Sequence, residues 1–139
     1  HGPKMAYLAH CALVIMAGAE NEFHGCEIAI GEYFAGEPLH VIAPALVTAV
    51  LTGVTSTKPE SLMCSLTFDR NEFEDARTVL SMLWMLEWES QLIVRTTGAA
   101  CNCSHDEYLA IWSADDDELK RIQREFGEER FAFRRRSEI

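Results

Sequence analysis

Residues Asp69–Glu89, DRNEFEDARTVLSMLWMLEWE, read as the best-marked helix of the chain. Asp69 and Glu72 have the spacing of a capping box, in which each satisfies a backbone N–H of the other; Asn71 and Glu74 are the alternative pair. Glu72, Glu74 and Asp75 put negative charge at the positive end of the helix dipole. Phe73, Ala76, Leu80, Leu83 and Glu87, with Val79 and Leu86 beside them, follow the i, i+3, i+4, i+7 period of a core-facing stripe. A second stripe starts polar at Arg77 and Ser81 and turns apolar at Trp84, Met85 and Trp88. One sheet covers one stripe. The other is expected under a further element of the same chain or in a homodimer interface, which makes Trp84, Met85 and Trp88 candidate interface residues.

Outward from this helix the pattern is regular. Ser61–Phe68 (SLMCSLTF) reads as the preceding strand and Ser90–Thr97 (SQLIVRTT) as the following one. Gly98–Asp106 reads as a loop and Glu107–Ser113 (EYLAIWS) as a strand. A second helix is expected after Ser113 or Asp115, with Leu119, Ile122 and Phe126 inward and Gly127 as its stop. Arg130–Arg134 (RFAFR) alternates like an edge strand blunted by basic residues. From about 61 to 135 the order is β-α-β-β-α-β, a ferredoxin-like unit. The expected class is therefore α+β, with an N-terminal β-hairpin and a short helix added to one antiparallel sheet.

The N-terminal additions are read as follows. Tyr7–Ala17 (YLAHCALVIMA) is a long apolar run ending in strand formers and is taken as a buried central strand, with a helix as the alternative because of its alanines and Leu8. Phe23–Phe34 alternates Cys26, Ile28 and Ile30 with Glu27, Ala29 and Gly31, which favours a half-buried strand pairing back on the first. Pro44 opens a short apolar helix, PALVTAVLT, that Gly53 stops. His1–Lys4 resemble a tag remnant ahead of Met5, so the single domain is taken as 5–139.

The chain has 139 residues, about one domain's worth, and is 48% hydrophobic, enough for a real core. No apolar run has the length of a membrane span, and the segment before Tyr7 lacks the basic start of a signal peptide. A cytoplasmic protein is the expectation. Net charge is −10, unevenly spread: residues 1–118 carry 18 acidic and 5 basic side chains, and residues 119–139 carry 4 and 7. Such a surface repels nucleic-acid phosphates and favours basic partners. Acids of the N-terminal part, Glu20, Glu22, Glu27, Glu32 and Glu37, are the candidate partner-binding residues.

Chemistry-bearing motifs are sparse. The chain has no G-x-S-x-G, no P-loop and no G-x-G-x-x-G, and its histidines lack an obvious catalytic partner, which leans away from an enzyme. Cys101, Cys103 and His105 form the densest group of soft ligands; with His24 and Cys26 they have enough donors for a tetrahedral zinc site. The C-x-C spacing is unlike the C-x₂₋₄-C of structural zinc loops, so no cofactor is the expectation and zinc the alternative. Cys11, Cys26 and Cys64 sit in apolar patterns and read as small core hydrophobes.

The function expected from these features is a non-enzymatic acidic protein that inhibits or neutralises a basic protein partner, of the immunity type or phage anti-defence type. The alternatives are a small-ligand-binding or regulatory homodimer, and a zinc- or thiol-dependent protein using the Cys101/Cys103/His105 loop.

Overall fold

The computed structural model describes residues 2–33, 64–104, 108–128 and 131. Within them the chain runs α1 (Gly2–Ala17), β1 (Cys26–Tyr33), β2 (Cys64–Phe68), α2 (Phe73–Met85), β3 (Trp88–Val94), β4 (Ala99–Cys103), β5 (Leu109–Ser113) and α3 (Asp116–Glu128). The strands make one open antiparallel sheet in the order β2-β1-β3-β4-β5. The α+β class with a single antiparallel sheet is as expected.

The first element departs from expectation. Tyr7–Ala17 is not a strand but most of α1, which starts at Gly2 and so takes in part of the supposed tag remnant. Pro3 stands in the first turn, where its missing N–H has no intrahelical partner to lose. Length decides between the two readings: an eleven-residue run, apolar but for His10, exceeds a usual strand and suits a helix. The periodic signal is faint because α1 is buried on most sides, among α2, α3 and β3. Its surface stripe is legible in retrospect: Lys4, Tyr7 and His10 are exposed and Val14 is half-buried, at helical spacing. Tyr7–Ala17 thus makes no hairpin with β1. β1 pairs with β2 on one side and β3 on the other.

Two further corrections concern the second half. The expected loop at 98–106 contains β4, whose Ala, Cys and Asn residues lack the branched and aromatic side chains that mark strands. The order over 64–128 is therefore β-α-β-β-β-α, not the ferredoxin-like one. The long helix also stops early, at Met85. Leu86 and Glu87 donate backbone N–H groups to Met82 and Trp84, and Glu87 at φ 57° turns the chain into β3. Trp88 consequently belongs to β3. No Gly or Pro advertises this stop. The expected helix at 44–52 and the residues of the expected strand at 130–134 other than Phe131 lie outside the described residues.

The start of α3 follows the sequence, whereas α2 begins at Phe73 with Glu72 as its N-cap and no side-chain cap bond, later than a cap at Asp69 would place it. Asp69 N–H donates to the Glu72 carboxylate at 3.0 Å, half of the capping box, while the Asp69 carboxylate accepts from Asn71 N–H at 2.8 Å. Asp115 caps α3, accepting from Asp117 N–H at 2.9 Å and Glu118 N–H at 3.3 Å. α3 continues through Gly127 to Glu128, so Gly127 is not its stop.

Alternation along the strands sorts the sheet into two faces. Ile28, Leu92 and Cys101 are fully buried in one cross-sheet row, with Leu66 and Ile111 at its ends. From α2, Val79, Leu80 and Leu83 are fully buried in the same core. Each such side chain contributes about 1.5–3 kcal/mol by leaving water. On the opposite face one row reads Ser65, Ala29, Gln91, Asn102 and Ala110, and the next Thr67, Glu27, Ile93, Ala100 and Trp112.

Candidate interaction surface

The turn between α1 and β1 presents Glu20 and Glu22. Its shape depends on glycine at both ends. Gly18 (φ 98°) and Gly25 (φ 97°) lie in the left-handed region, and a Cβ on Gly18 would stand 2.7 Å from the Glu22 carbonyl oxygen. Backbone bonds from Gly18 N–H to Val14, Glu22 N–H to Ala19 and His24 N–H to Ala17 close the turn. Phe23 plugs it into the core, edge-on to Phe73 at 5.4 Å. With Phe23 anchored, Glu20 and Glu22 stay exposed, and neither has a side-chain bond or ion pair among the described residues.

The other candidate acids are not gathered with them. Glu27 lies on the outer face of β1, where its carboxylate accepts from the Ser65 hydroxyl and from Arg95 Nε at 2.5 Å. The Arg95 hydrogen bond, then that of Ser65, holds the Glu27 carboxyl below its ordinary value. Glu27 is thus already neutralised within the chain. Glu32 is on β1, and Glu37 lies outside the described residues. A second group of acids, Asp115, Asp116 and Asp117, is exposed at the start of α3.

Cations do not offset these charges evenly. Arg77 is paired with Glu74, Arg95 with Glu27, and Arg121 with Glu118 and Glu125. Glu20, Glu22, Asp75, Asp116 and Asp117 have no cationic partner among the described residues.

The second stripe of α2 is resolved by burial. Trp84 is 2% exposed and Trp88 5%. The Trp88 indole donates to the Gly31 carbonyl at 2.9 Å, where the β1–β3 register shifts. Trp84 Nε1 has no hydrogen-bond partner among the described residues. Met85 alone of the three is exposed. The two tryptophans are core residues and offer no aromatic patch to a second copy.

Cys101 and Cys103 occupy alternate positions of β4 and so share the helix-facing side, Cys101 fully buried and Cys103 half-buried. Burial pushes the Cys101 thiol far up and the Cys26 thiol up to about 12. Cys26 is on β1, with β3 between it and β4. Two strand spacings of about 4.8 Å each keep Cys26 about 10 Å from the Cys101/Cys103 strand. His24 is exposed, with Nδ1 3.4 Å from the Thr96 hydroxyl. His105 lies outside the described residues. Among those described, no three His, Cys, Asp or Glu side chains converge as metal ligands, and no helix is long and apolar enough to cross a membrane.

Sequence reasoning placed a strand at β5 but missed its position, last in the sheet among the described residues. Trp112 is 43% exposed there and Tyr108, just before it, 40%. The alternation of EYLAIWS carried the signal, because it sets Trp112 opposite in face to Leu109 and Ile111. Comparison with protein-family models, curated proteins and solved structures returns no match.

Proposed function

We propose that the protein is a non-enzymatic acidic binding protein that docks on a basic surface of a protein partner and blocks it, as immunity-type and phage anti-defence-type inhibitors do. One observation carries this reading: Arg77, Arg95 and Arg121 are taken up in ion pairs within the chain, and the exposed Arg70, Lys120 and Arg124 are outnumbered by exposed Glu20, Glu22, Asp75, Asp116 and Asp117, which have no ion pair among the described residues. Uncompensated acids attract a basic surface over a Debye length of about 10 Å and speed encounter. Docking uses one copy of the chain.

The test is capture by the immobilised chain at about 0.05 M and about 0.5 M salt, with captured proteins identified by mass spectrometry. Basic proteins retained at low salt, released at high salt and lost with Glu20→Gln/Glu22→Gln/Asp116→Asn/Asp117→Asn support the reading. Partners that are neutral, insensitive to salt and indifferent to those substitutions overturn it.

A further inference from the structure

β5 is the last strand of the sheet among the described residues. Its ladder fixes which backbone groups face outward. Ser104 N–H donates to the Tyr108 carbonyl at 2.8 Å, which makes that pair a hydrogen-bonded one. Antiparallel pairs alternate. With Asn102 opposite Ala110 and Ala100 opposite Trp112, those two pairs are also hydrogen-bonded. Leu109, Ile111 and Ser113 are then the non-bonded positions, and their N–H and C=O groups point away from β4.

Natural edge strands are blunted by charge, proline or a bulge. LAIWS has none of these: it contains no Lys, Arg, Asp, Glu or Pro, and its register against β4 is unbroken from Leu109 to Ser113. The side chains add a pattern. Leu109 and Ile111 are half-buried against the core on the helix side. Trp112 projects from the outer face. Just beyond the strand stand exposed Asp115, Asp116 and Asp117.

We propose that β5 is the docking edge for an extended basic segment of the partner, which adds to the sheet as a sixth strand. The inference rests on the acidic-binding reading and specifies its contact. In such a pair the partner residue opposite Ile111 exchanges backbone hydrogen bonds with it and points to the helix side, so it is apolar. Its neighbour opposite Trp112 lies on the outer face, where a Lys or Arg stacks on the indole. The segment therefore alternates apolar and basic residues. Main-chain bonds supply affinity, and the alternation supplies selectivity.

The test uses the full chain, ¹⁵N-labelled, titrated with a synthetic octapeptide of alternating valine and lysine. Amides of Leu109, Ile111 and Ser113 are expected to gain at least about tenfold protection from hydrogen exchange, the amount one ladder bond of about 1.4 kcal/mol supplies. Ile111→Pro removes an outward N–H without cutting the bonds to β4, and Ile111→Ala removes the same apolar packing while keeping the N–H. The proline variant is expected to bind about tenfold more weakly than the alanine variant. A peptide N-methylated at alternate residues gives the same contrast on the native chain: methylation in one register abolishes binding and in the other spares it. Peptide binding without protection of β5, equal loss in the two variants, or indifference to N-methylation overturns the added strand. A captured basic partner that leaves β5 amides exchanging freely overturns it too, with the charge reading intact. Absence of any basic ligand overturns both.

Discussion

The guanidinium of Arg121 donates from Nη2 to the backbone carbonyl of Ile15 at 2.9 Å, joining α3 to the last turn of α1. The same side chain is held by Glu118 at 2.6 Å and Glu125 at 2.9 Å. The Ile15 carbonyl belongs to a helix end whose acceptors lack intrahelical donors. Arg121→Ala is expected to cost about 1–3 kcal/mol, the range for hydrogen bonds to charged groups. Arg121→Lys recovers only part, since a point charge cannot hold three acceptors in the fork geometry. Urea unfolding of the two variants checks both statements; equal losses would count against the fork.

Glu27 makes stability depend on acid. Its folded carboxyl sits below its ordinary value because of the hydrogen bond from Arg95, then that from Ser65. A depressed carboxyl contributes fully above the unfolded value of about 4.3 and loses that contribution as pH falls through the folded value. Glu27→Gln is expected to be less stable than the native chain at pH 7, with the difference closing as pH falls through the depressed folded value. Thermal melts from pH 7 to 2 measure the convergence. A constant difference across that range excludes the linkage.

Trp88 should lose more than Trp84 on loss of the indole N–H. Trp88→Phe strands the Gly31 carbonyl, at a cost of about 1–3 kcal/mol. Trp84→Phe deletes a buried donor that has no partner among the described residues, so removal of the N–H returns part of the packing loss and the net cost stays under about 1.5 kcal/mol. Trp84→Ala opens a cavity worth about 3–5 kcal/mol. Unfolding free energies in urea rank the three.

Thiol reactivity should separate the cysteines. Cys26, pushed up to about 12, and Cys101, pushed higher, have almost no thiolate at pH 8. An aromatic disulfide reagent is expected to leave both unmodified in the native chain and to label them on unfolding in urea. Labelling of Cys101 at native rates faster than global unfolding would show local opening of β4.

Legibility in the sequence followed the source of each signal. Local chemistry was readable: the Asp115 cap, the single bond from Asp69 N–H to Glu72 and the Phe73–Leu83 stripe are set within one or two turns of chain. What failed depended on neighbours. α1 hid its period because α2, α3 and β3 bury most of it, and β4 hid because Ala99 and Cys101 are small where the buried layer needs no branched residue. Trp88 read as helix because the stop at Glu87 is made by a positive φ on an ordinary residue. For the surface, Glu20 and Glu22 were readable as exposed turn acids. The engagement of Glu27 was not, since Arg95 and Ser65 are 68 and 38 positions away. Trp112 was placed on a strand, but its exposure depends on β5 lying last in the sheet among the described residues.

The strand order has a consequence for synthesis. β1 takes its partners from β2 and β3, and Ile28 must wait for Leu92 to emerge before its second flank is covered. Until then an amino-terminal stretch that is apolar in both α1 and β1 leaves the ribosome without its seam. At about 5–20 residues per second that interval lasts seconds, longer than hydrophobic collapse or helix formation. Truncation before β3 should therefore yield a chain that clumps rather than a smaller soluble domain, and the β1–β3 seam is the point at which the growing chain first becomes self-sufficient.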